Sequence, residues 1–388
     1  MIKIGITGQA GFVGTHLFNT LGLHPSKFER VEFKDEYFQN VKELQSFVKS
    51  CDAIVHLAAM NRHNEPEFIY NTNIGLVKQL IAACESTKST PHILFSSSTQ
   101  EERDNLYGKS KKEGRELLEH WALNNNAQFT GLIIPNVFGP FGHPYYNSVV
   151  ATFCHQLTHN ETPEIDGDGE VKLIYVGELV QEIISNIESY SVTQNKTQSN
   201  IMQNQVKHCE TICIPHTSTI KVSDLLYKLE TYKSNYFENG EIPNLDTQFE
   251  RNLWNTFLCY FDQENFFPFH LKLNTDNRGS FVETVKLNSG GQISFSTTVP
   301  GITRGNHFHT RKAERFAVIK GKATIELRRI GTKKVLTFEL DGNHPCFVDM
   351  PIWHTHNITN VGEEDLFTIF WINEYYDAND PDTYFEKV

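Results

Sequence analysis

Near the C-terminus, histidine and glutamate recur at intervals that suit a metal site. The segment GITRGNHFHTRKAERFAVIKG contains His307, His309 and Glu314. Side chains two apart in a strand point to the same side, so His307 and His309 can converge on one ion. The later segment PIWHTHN contains two further histidines, His354 and His356. Imidazoles with a carboxylate suit Zn, Mn, Fe, Ni or Cu, and these donors alone do not choose among the metals.

A tyrosine and a lysine in NLYGKSKKEG have the spacing of a proton-transfer pair. Four residues apart, Tyr107 and Lys111 would share one face of a helix. We expect the Lys111 ammonium to lower the pKa of the Tyr107 phenol, which would make the phenol a usable proton donor. A serine run in FSSSTQ precedes the pair, at the end of an expected strand. The arrangement predicts general acid–base chemistry.

Three glycines near the N-terminus have the pattern of a dinucleotide-binding turn. Gly8, Gly11 and Gly14 in TGQAGFVGTHL follow an apolar run and open a helical pattern. Backbone amides in such a turn can approach a pyrophosphate at the helix N-terminus, and Gly14 lets the helix pack closely on the sheet. The next strand ends in VEFKDEYF, beside the expected adenosine ribose. Lys34 there favours a 2′-phosphate and hence NADP, whereas Glu32 or Asp35 would favour NAD.

Alternating strand and helix patterns must position these N-terminal groups. The apolar runs IKIGIT, AIVHLAA and HILFSSS alternate with the helical patterns VKELQSFVKS and NIGLVKQLIAACES, and a further helix begins near Leu106. Alternation of this kind predicts an α/β, Rossmann-like, doubly wound parallel sheet. The polar segment 188–211 is expected to be an exposed insertion or long loop.

The last part of the chain changes to short alternating strands broken by Gly, Asn and Pro, which predicts an all-β module. We therefore expect a dinucleotide-binding domain over 1–245, a linking segment over 246–266 that includes the helical pattern ERNLWNTFLCYF, and a β domain over 267–388. A chain of 388 residues is too long for one ordinary core, so two domains are the default.

The composition excludes several classes of function. Lys+Arg 35 against Asp+Glu 47 gives a formal charge of -12, which argues against binding to nucleic acid or to an anionic membrane surface. No apolar stretch approaches the roughly 20 residues needed to span a bilayer. Cysteines are scattered, odd in number and without a CxxC pair, so a disulfide framework is not indicated and a cytoplasmic location is expected.

Over residues 1–245 these motifs resemble the extended short-chain dehydrogenase/reductase family. The resemblance implies that Tyr107 is the acid/base, that Lys111 holds the nicotinamide ribose and that Ser98 hydrogen-bonds the substrate carbonyl. One departure is IIPNVFGP, where an Arg is common before the Asn. The residues implied to bind the cofactor are Gly8, Gly11, Phe12, Val13, Gly14, Lys34, Leu57, Ala58, Ala59, Tyr107 and Lys111. The residues implied to bind substrate on this side are Asn136 and Asn147.

The spacing His-x-His-x4-Glu-x6-Gly resembles the first motif of the cupin family, a small jelly-roll barrel. PIWHTHN resembles the second motif, although Trp353 stands where Gly is common. On this match His356 is the better fourth ligand, and His354 is an alternative that could instead act as a base. The resemblance implies a divalent metal, zinc in particular, and its implied ligands are His307, His309, Glu314 and His356. RGNHFH also resembles RGxH of the metal-free deoxysugar epimerases of the same superfamily, in which the first His is the proton-abstracting base. His307 therefore has two competing roles. DNRGSFVE also resembles those epimerases, and the resemblance implies that Arg278 in this segment and Arg304 in RGNHFH contact the sugar nucleotide.

The combination of both halves over essentially the full length resembles a family of bifunctional enzymes of capsular polysaccharide synthesis. It implies that the cupin half epimerises C3 of a UDP-2-acetamido-2,6-dideoxy-4-hexulose and that the reductase half then reduces C4 with NADPH. The product would be UDP-2-acetamido-2,6-dideoxy-L-talose, on the route to UDP-N-acetyl-L-fucosamine, and the enzyme would be a homodimer.

Two alternatives remain open. In the first, the chain is a single-activity ketoreductase whose cupin half only binds sugar or stabilises a dimer. In the second, it is a non-enzymatic sugar-nucleotide sensor, which the intact set of Ser98, Tyr107 and Lys111 disfavours. The general base of epimerisation stays open among His307, His309 and His354.

Overall fold

The computed structural model divides the chain into two compact units, each formed from several segments. The described residues are 1–197, 208–277 and 279–388. The first unit comprises 1–138, 142–152 and 169–221. The second unit comprises 139–141, 153–168 and 222–388.

The first unit is built on a parallel, Rossmann-like sheet with the strand order β2-β1-β3-β4-β5-β8. Its strands are β1 (Ile2–Thr7), β2 (Phe28–Val31), β3 (Ala53–His56), β4 (His92–Ser98), β5 (Phe129–Ile134) and β8 (Cys209–Cys213). A second sheet combines β6 (Asn136–Phe138), β7 (Glu170–Tyr175) and β9 (Ser218–Lys221). The order of the larger sheet reverses between β1 and β3, which is where open α/β sheets bind ligands, at the carboxyl ends of the strands.

Helices cover both faces of this parallel sheet. The helices up to residue 197 are α1 (Phe12–Gly22), α2 (Val41–Ser50), α3 (Pro66–Thr87), α4 (Leu106–Asn125), α5 (Val149–Thr158) and α6 (Val176–Thr197). Val55 of β3 is buried in a core with α1 and α6, whereas its neighbour Ile54 is buried in a second core with α2, α3 and α4. Successive strand residues thus face opposite layers, and the predicted doubly wound sheet is confirmed.

The second unit is largely antiparallel and rich in β-structure. One of its sheets has the order β11-β20-β17-β22-β15 and another the order β19-β18-β21-β16-β23. The strands are β10 (Glu241–Ile242), β11 (Phe269–His270), β12 (Asn274–Asp276), β13 (Gly279–Phe281), β14 (Lys286–Leu287), β15 (Gln292–Thr298), β16 (Thr303–Phe308), β17 (Glu314–Lys320), β18 (Lys322–Arg329), β19 (Val335–Asp341), β20 (Cys346–Met350), β21 (His354–Asn360), β22 (Leu366–Ile372) and β23 (Tyr384–Phe385). The strand-rich C-terminal region expected from the sequence is therefore confirmed.

Helical residues also belong to this second unit: α7 (Val222–Lys233), α8 (Gln248–Phe257) and α9 (Gln263–Phe266). A capping box starts α8, since Thr247 Oγ1 accepts from the Glu250 amide at 3.1 Å and the Glu250 carboxylate accepts from the Thr247 amide at 3.0 Å. Tyr236 packs edge-on against Trp254, with ring centroids 5.0 Å apart. Because of such contacts, the second unit already includes the residues from 222 onward. The linking segment was expected to start at 246 and the β domain at 267.

The expectation of a loop over 188–211 was wrong at both ends. Helix α6 continues to Thr197, and β8 joins the parallel sheet from Cys209. Residues 198–207 lie outside the described residues. Of the described helices, none combines the length and the apolar character needed to cross a membrane.

Candidate active site and candidate metal centre

A cavity of about 700 Å³ lies within the first unit, where the loops after β1, β3, β4 and β5 meet. Most residues that the sequence assigns to this site line it: Gly8, Gly11, Phe12, Val13, Gly14, Leu57, Ala59, Ser98, Tyr107, Lys111, Asn136 and Asn147. Lys34 and Ala58 do not line it. Lys34 is exposed, with its ammonium 3.5 Å from Glu32. The backbone amide of Ala58 lies beside Gly8.

The turn after β1 requires glycine at two positions. Gly8 has a left-handed φ of 71°, and its carbonyl accepts from the Gly11 amide at 3.0 Å. A Cβ on Gly14 would lie 2.3 Å from the Gly8 carbonyl oxygen. The turn can therefore exist only with bare backbone at these positions, which leaves its amides accessible to an anion.

The start of helix α4 fixes Tyr107 and Lys111. Asn105 caps the helix, and its side-chain oxygen accepts from the Gly108 amide at 2.7 Å. A Cβ on Gly108 would lie 2.0 Å from the carbonyl oxygen of Gln100, so this turn packs directly on the segment after β4. The close approach brings the tyrosine and the lysine into the cavity, as their spacing predicts.

Lys111 is a buried cation with a backbone partner. Its Nζ donates to the carbonyl oxygen of Ser96 at 2.8 Å, and its residue is 3% exposed. Burial lowers the pKa of Lys111 to about 8, while the negative charge of Glu101 opposes that shift. Glu101 is itself held by Arg115, with Nε–Oε1 and Nη2–Oε2 distances of 3.0 Å.

Lys111 was expected to lower the pKa of the Tyr107 phenol, but in the structure that pKa is raised. Burial, together with the charge of Tyr146, raises the pKa of Tyr107 to about 12. The Lys111 ammonium lies 5.8 Å from the Tyr107 ring centroid and is directed at a carbonyl. Tyr107 is therefore a firmly protonated phenol. Ser98 lines the same cavity, and its Oγ accepts from the Gln100 amide at 3.2 Å.

Hydrogen bonds join two loops of the first unit beside the cavity, a contact that no sequence motif predicts. The Asn61 amide donates to the Tyr146 hydroxyl at 3.3 Å, and Asn147 Nδ2 donates to the Asn61 carbonyl at 3.0 Å. The Arg62 guanidinium donates to the carbonyl of Tyr145. Tyr145 and Asn147 adopt left-handed φ angles of 60° and 58°. Asparagine is enriched in this conformation and tyrosine is not, so only Asn147 could have been predicted to adopt it. Lining residues not anticipated include Asn61, Gln100, His143, Tyr146 and Ser148.

The second unit brings together all four expected metal ligands. One donor atom from each of His307, His309, Glu314 and His356 lies within 4.8 Å of the others. Glu314 Oε2 is 3.0 Å from His356 Nε2, 3.2 Å from His309 Nε2 and 3.8 Å from His307 Nε2. Glu314 starts β17 in one five-stranded sheet, whereas His307 and His356 belong to β16 and β21 in the other. The cluster thus links the two sheets.

The donor atoms fit a cation. His309 Nδ1 donates to the Asp382 carbonyl at 2.5 Å, and His356 Nδ1 donates to the His354 carbonyl at 3.2 Å. In both rings Nε2 is then the nitrogen that faces the cluster and could bind an ion. Those two Nε2 atoms and Glu314 Oε2 are buried without a hydrogen-bond partner among the described residues. Unpartnered buried polar atoms call for an explanation, and a shared ion supplies one.

Electrostatics within the cluster favour an ionised carboxylate. Burial alone would raise the pKa of Glu314, but the three surrounding imidazoles outweigh it and hold that pKa well below its ordinary value. Burial lowers the pKa of His356, and Glu314 opposes this shift only in part. An anionic carboxylate beside a neutral imidazole is a suitable donor set for a divalent metal.

Two further predicted residues of this unit, His354 and Arg304, are not members of the cluster. His354 is buried, and desolvation lowers its pKa to about 4, so it is neutral near pH 7. Its Nδ1 donates to the Ile352 carbonyl at 2.9 Å. Arg304 is exposed and donates to Thr298 Oγ1 and to the Thr297 carbonyl, each at 2.9 Å. Arg278 lies outside the described residues.

Two family models match the chain. The NAD dependent epimerase/dehydratase family matches residues 4–201, and the Polysaccharide biosynthesis C-terminal domain matches residues 274–384. The chain therefore belongs to the NAD dependent epimerase/dehydratase family, a class of enzymes with a nicotinamide cofactor.

Particular relatives match both units. The UDP-2-acetamido-2,6-beta-L-arabino-hexul-4-ose reductase of Pseudomonas aeruginosa is 32% identical over 388 residues, covering 99% of this chain and 98% of the relative. The crystal structure of the capsular polysaccharide assembling protein CapF from Staphylococcus aureus aligns over 100% of both chains, with 33% identity and a TM-score of 0.60. CapF with the inhibitor 3-isopropenyl-tropolone aligns equally fully, with 31% identity and a TM-score of 0.56. These similarities confirm the whole-chain resemblance to capsular polysaccharide enzymes.

Proposed function

We propose that the chain is a bifunctional nucleotide-sugar enzyme of polysaccharide synthesis. The second unit, as a cupin barrel, would epimerise C3 of a UDP-2-acetamido-2,6-dideoxy-4-hexulose, and the first unit would reduce its C4 ketone to give UDP-2-acetamido-2,6-dideoxy-L-talose. The observation that carries this proposal is similarity over the full length to a reductase of such a 4-ketosugar, in a chain that retains both groups of side chains.

In the reduction, the side chains of the first unit bind, orient and protonate. A nicotinamide cofactor bound along the glycine turn would supply the hydride to C4. Tyr107 would donate its phenolic proton to the forming C4 alkoxide, and a pKa of about 12 keeps that proton in place at neutral pH. Lys111 would hold the nicotinamide ribose, and the Ser98 hydroxyl would hydrogen-bond the ketone oxygen.

NADPH is the proposed form of the cofactor. Gln9, in the glycine turn, accepts from the Phe33 amide at 3.3 Å, which keeps the start of the segment carrying Lys34 beside the turn. The exposed Lys34 ammonium can therefore meet a 2′-phosphate there. Replacing Lys34 with Ala should raise the KM for NADPH more than the KM for NADH, and an equal change in both would contradict this assignment.

For epimerisation, a 4-keto group makes the C3 hydrogen acidic. A base removes that proton and the proton returns on the other face, while a cation or donor steadies the enolate. A divalent ion, zinc in particular, would be held by the four-residue cluster and would supply that positive charge. His307 is the cluster member most open to a substrate, with 25% of its side chain exposed. An imidazole whose Nε2 is bound to the ion has no lone pair there to accept a proton, so His307 would serve as the base only with the ion held by His309, Glu314 and His356. His309 and the neutral His354 are the competing candidates, separable by comparing C3 exchange in single alanine variants.

The deciding experiment follows NADPH oxidation and C3 labelling in deuterated water with the UDP-4-keto-6-deoxy-N-acetyl sugar. The intact protein should yield a reduced product carrying deuterium at C3. The double variant His307→Ala, Glu314→Ala should lose that label, because epimerisation would no longer occur. Equal reduction without C3 label in both proteins would support the alternative, a single-activity ketoreductase whose second unit is structural or binds sugar.

A homodimer is part of the proposal. Strand β15 ends its sheet, and Ile293 and Phe295 on it are 56% and 58% exposed. An exposed apolar edge strand favours pairing with another chain. Light scattering of the purified protein would test it, and a monomeric mass would exclude the dimer.

A further inference from the structure

The C-terminal strap, residues 381–386, runs along the strand that carries His307. Within the strap, β23 pairs antiparallel with β16, with His307 opposite Phe385 and Phe308 opposite Tyr384. The ring of Tyr384 stacks on Phe308, with centroids 5.4 Å apart and planes 28° apart. The strap is therefore packed on the strand that leads into the metal cluster.

Asp382 in this strap organises the loop after β16. Its carboxylate accepts from the backbone amides of Thr310, Arg311 and Lys312, at 3.1, 3.0 and 3.1 Å. It also accepts from Thr310 Oγ1 at 2.6 Å. Asp382 is only 2% exposed, so these donors take the place of water around a buried carboxylate. The loop they belong to lies between the ligands His309 and Glu314.

The backbone of Asp382 makes a second contact, directly with a ligand. Its carbonyl oxygen accepts from His309 Nδ1 at 2.5 Å. This bond requires a proton on Nδ1, so Nε2, which lies 3.2 Å from Glu314 Oε2, is the ring atom available to an ion. Asp382 has a left-handed φ of 44°, a conformation that a non-glycine residue keeps only where its surroundings impose it.

Further contacts anchor the strap on both sides of Asp382. Lys312 Nζ donates to the Pro381 carbonyl at 2.8 Å, and the Glu386 amide donates to the Asn306 carbonyl at 3.0 Å. The Glu386 carboxylate accepts from Arg328 at 2.7 Å. The strap is therefore held at both ends, and Asp382 is fixed at the ligand loop between them.

We propose that Asp382 is a positioning residue for the metal centre, with its carboxylate ordering the ligand loop and its carbonyl fixing the tautomer of His309. This inference rests on the proposed binding of a divalent ion by the four-residue cluster. Partners of this kind orient the ligands before the ion arrives. Removing one typically weakens metal affinity by about 10–100-fold.

The test compares Asp382→Ala with Asp377→Ala in the full-length protein. Asp377 is an exposed carboxylate near the strap that caps the Asn379 amide at 2.8 Å, so its removal changes the charge equally without touching the ligand loop. Zn²⁺ affinity is measured by chelator competition, and the ligand field by the absorption spectrum of bound Co²⁺. We expect Asp382→Ala to lose about 10–100-fold in Zn²⁺ affinity and to change the Co²⁺ spectrum, with Asp377→Ala like the parent.

A milder variant covers the case in which Asp382→Ala does not fold. Thr310→Val removes one donor to the Asp382 carboxylate and keeps the backbone bonds, so a smaller loss of affinity in the same direction is expected. Affinity and spectrum equal to those of Asp377→Ala in a folded variant would overturn the inference while leaving the metal centre in place. Failure of the parent protein to bind either ion would remove the metal centre and the inference with it.

Discussion

In the first unit, Lys111 is a buried cation that donates to a neutral carbonyl, whereas in the second unit Glu314 is a buried anion among three imidazoles. Burial, which the charge of Glu101 opposes only in part, brings the pKa of Lys111 down to about 8. Burial beside the imidazoles leaves the pKa of Glu314 well below its ordinary value. A single buried group with a shifted pKa suits proton transfer at a reacting carbonyl, whereas a carboxylate surrounded by imidazoles suits a bound cation.

The two sites also depend on different parts of the fold. Tyr107 and Lys111 lie one turn apart on α4, so the register of one helix on its sheet sets the geometry of the proposed reductase site. Glu314 faces His307 and His356 from another sheet, so the proposed metal centre depends on both sheets. Changes in one site should therefore leave the chemistry of the other intact, and the variants below are chosen to test that independence.

The largest expected effect comes from Tyr107→Phe, which removes the phenolic proton and keeps the ring. NADPH oxidation with the 4-ketosugar should fall by about 10²–10⁴-fold, the usual range for a lost general acid. C3 exchange in deuterated water and Zn²⁺ content should not change. The matched control is Tyr227→Phe at a side chain that is 71% exposed. Loss of C3 exchange in the Tyr107 variant would break the comparison, since one residue would then serve both reactions.

The next effect is expected from Glu314→Gln, which keeps the shape of the side chain but removes its charge. Zn²⁺ affinity should fall by more than the roughly 10–100-fold seen when only a supporting residue is lost. C3 exchange should disappear with it, while NADPH binding in the first unit should persist. Glu339→Gln on β19 changes the same charge at an exposed position and serves as the control. Unchanged metal affinity in the Glu314 variant would contradict the assigned donor set.

A pair of glycine substitutions sharpens the dependence on helix register. In Gly108→Ala the new methyl would lie 2.0 Å from the Gln100 carbonyl oxygen, so the first turn of α4 must shift, at a cost on the order of 1–3 kcal/mol. We expect a lower free energy of unfolding and a lower kcat for reduction, because Tyr107 moves with that turn. Gly75→Ala in α3 meets no atom within 4 Å and should stabilise the protein by about 0.5–1 kcal/mol. Equal kcat values in both variants would show that the position of Tyr107 does not depend on the packing of that turn.

Local spacing and resemblance to known motifs predicted which side chains lie together in both candidate sites. The Tyr-x-x-x-Lys pair and the His307–His309 pair follow from helical and strand periods, whereas Glu314 and His356 followed from the resemblance to the cupin motifs. Alternation of strands and helices likewise predicted the parallel sheet. The limits of the expected loop over 188–211 were missed because a polar composition does not prevent a helix from continuing along a surface.

Contacts between residues distant in the chain could not be predicted in this way. Asp382 meets His309 only because the strap returns beside β16, and no sequence period links the two. The joining of Asn61 to Tyr146 and Asn147 likewise depends on how two loops fold. The pKa of Tyr107 was expected to fall because the sequence shows a neighbouring lysine but does not show burial, which dominates the shift.

The smallest expected effect is a shift in the pH dependence of reduction. It tests the buried cation Lys111 apart from the buried anion Glu314. Reduction should decline as pH rises through about 8, where Lys111 loses its proton. The unfolded chain keeps that proton up to the ordinary pKa of 10.5, so this group makes the free energy of unfolding increase with pH between about 8 and 10.5. Glu101→Gln removes a charge that supports the ammonium and should move the decline in activity to lower pH, while Glu116→Gln, on the exposed side of α4, should not. Pre-steady-state NADPH oxidation across pH 6–10 would measure the shift. Coincident profiles for both variants and the parent would show that the Lys111 charge does not control reduction.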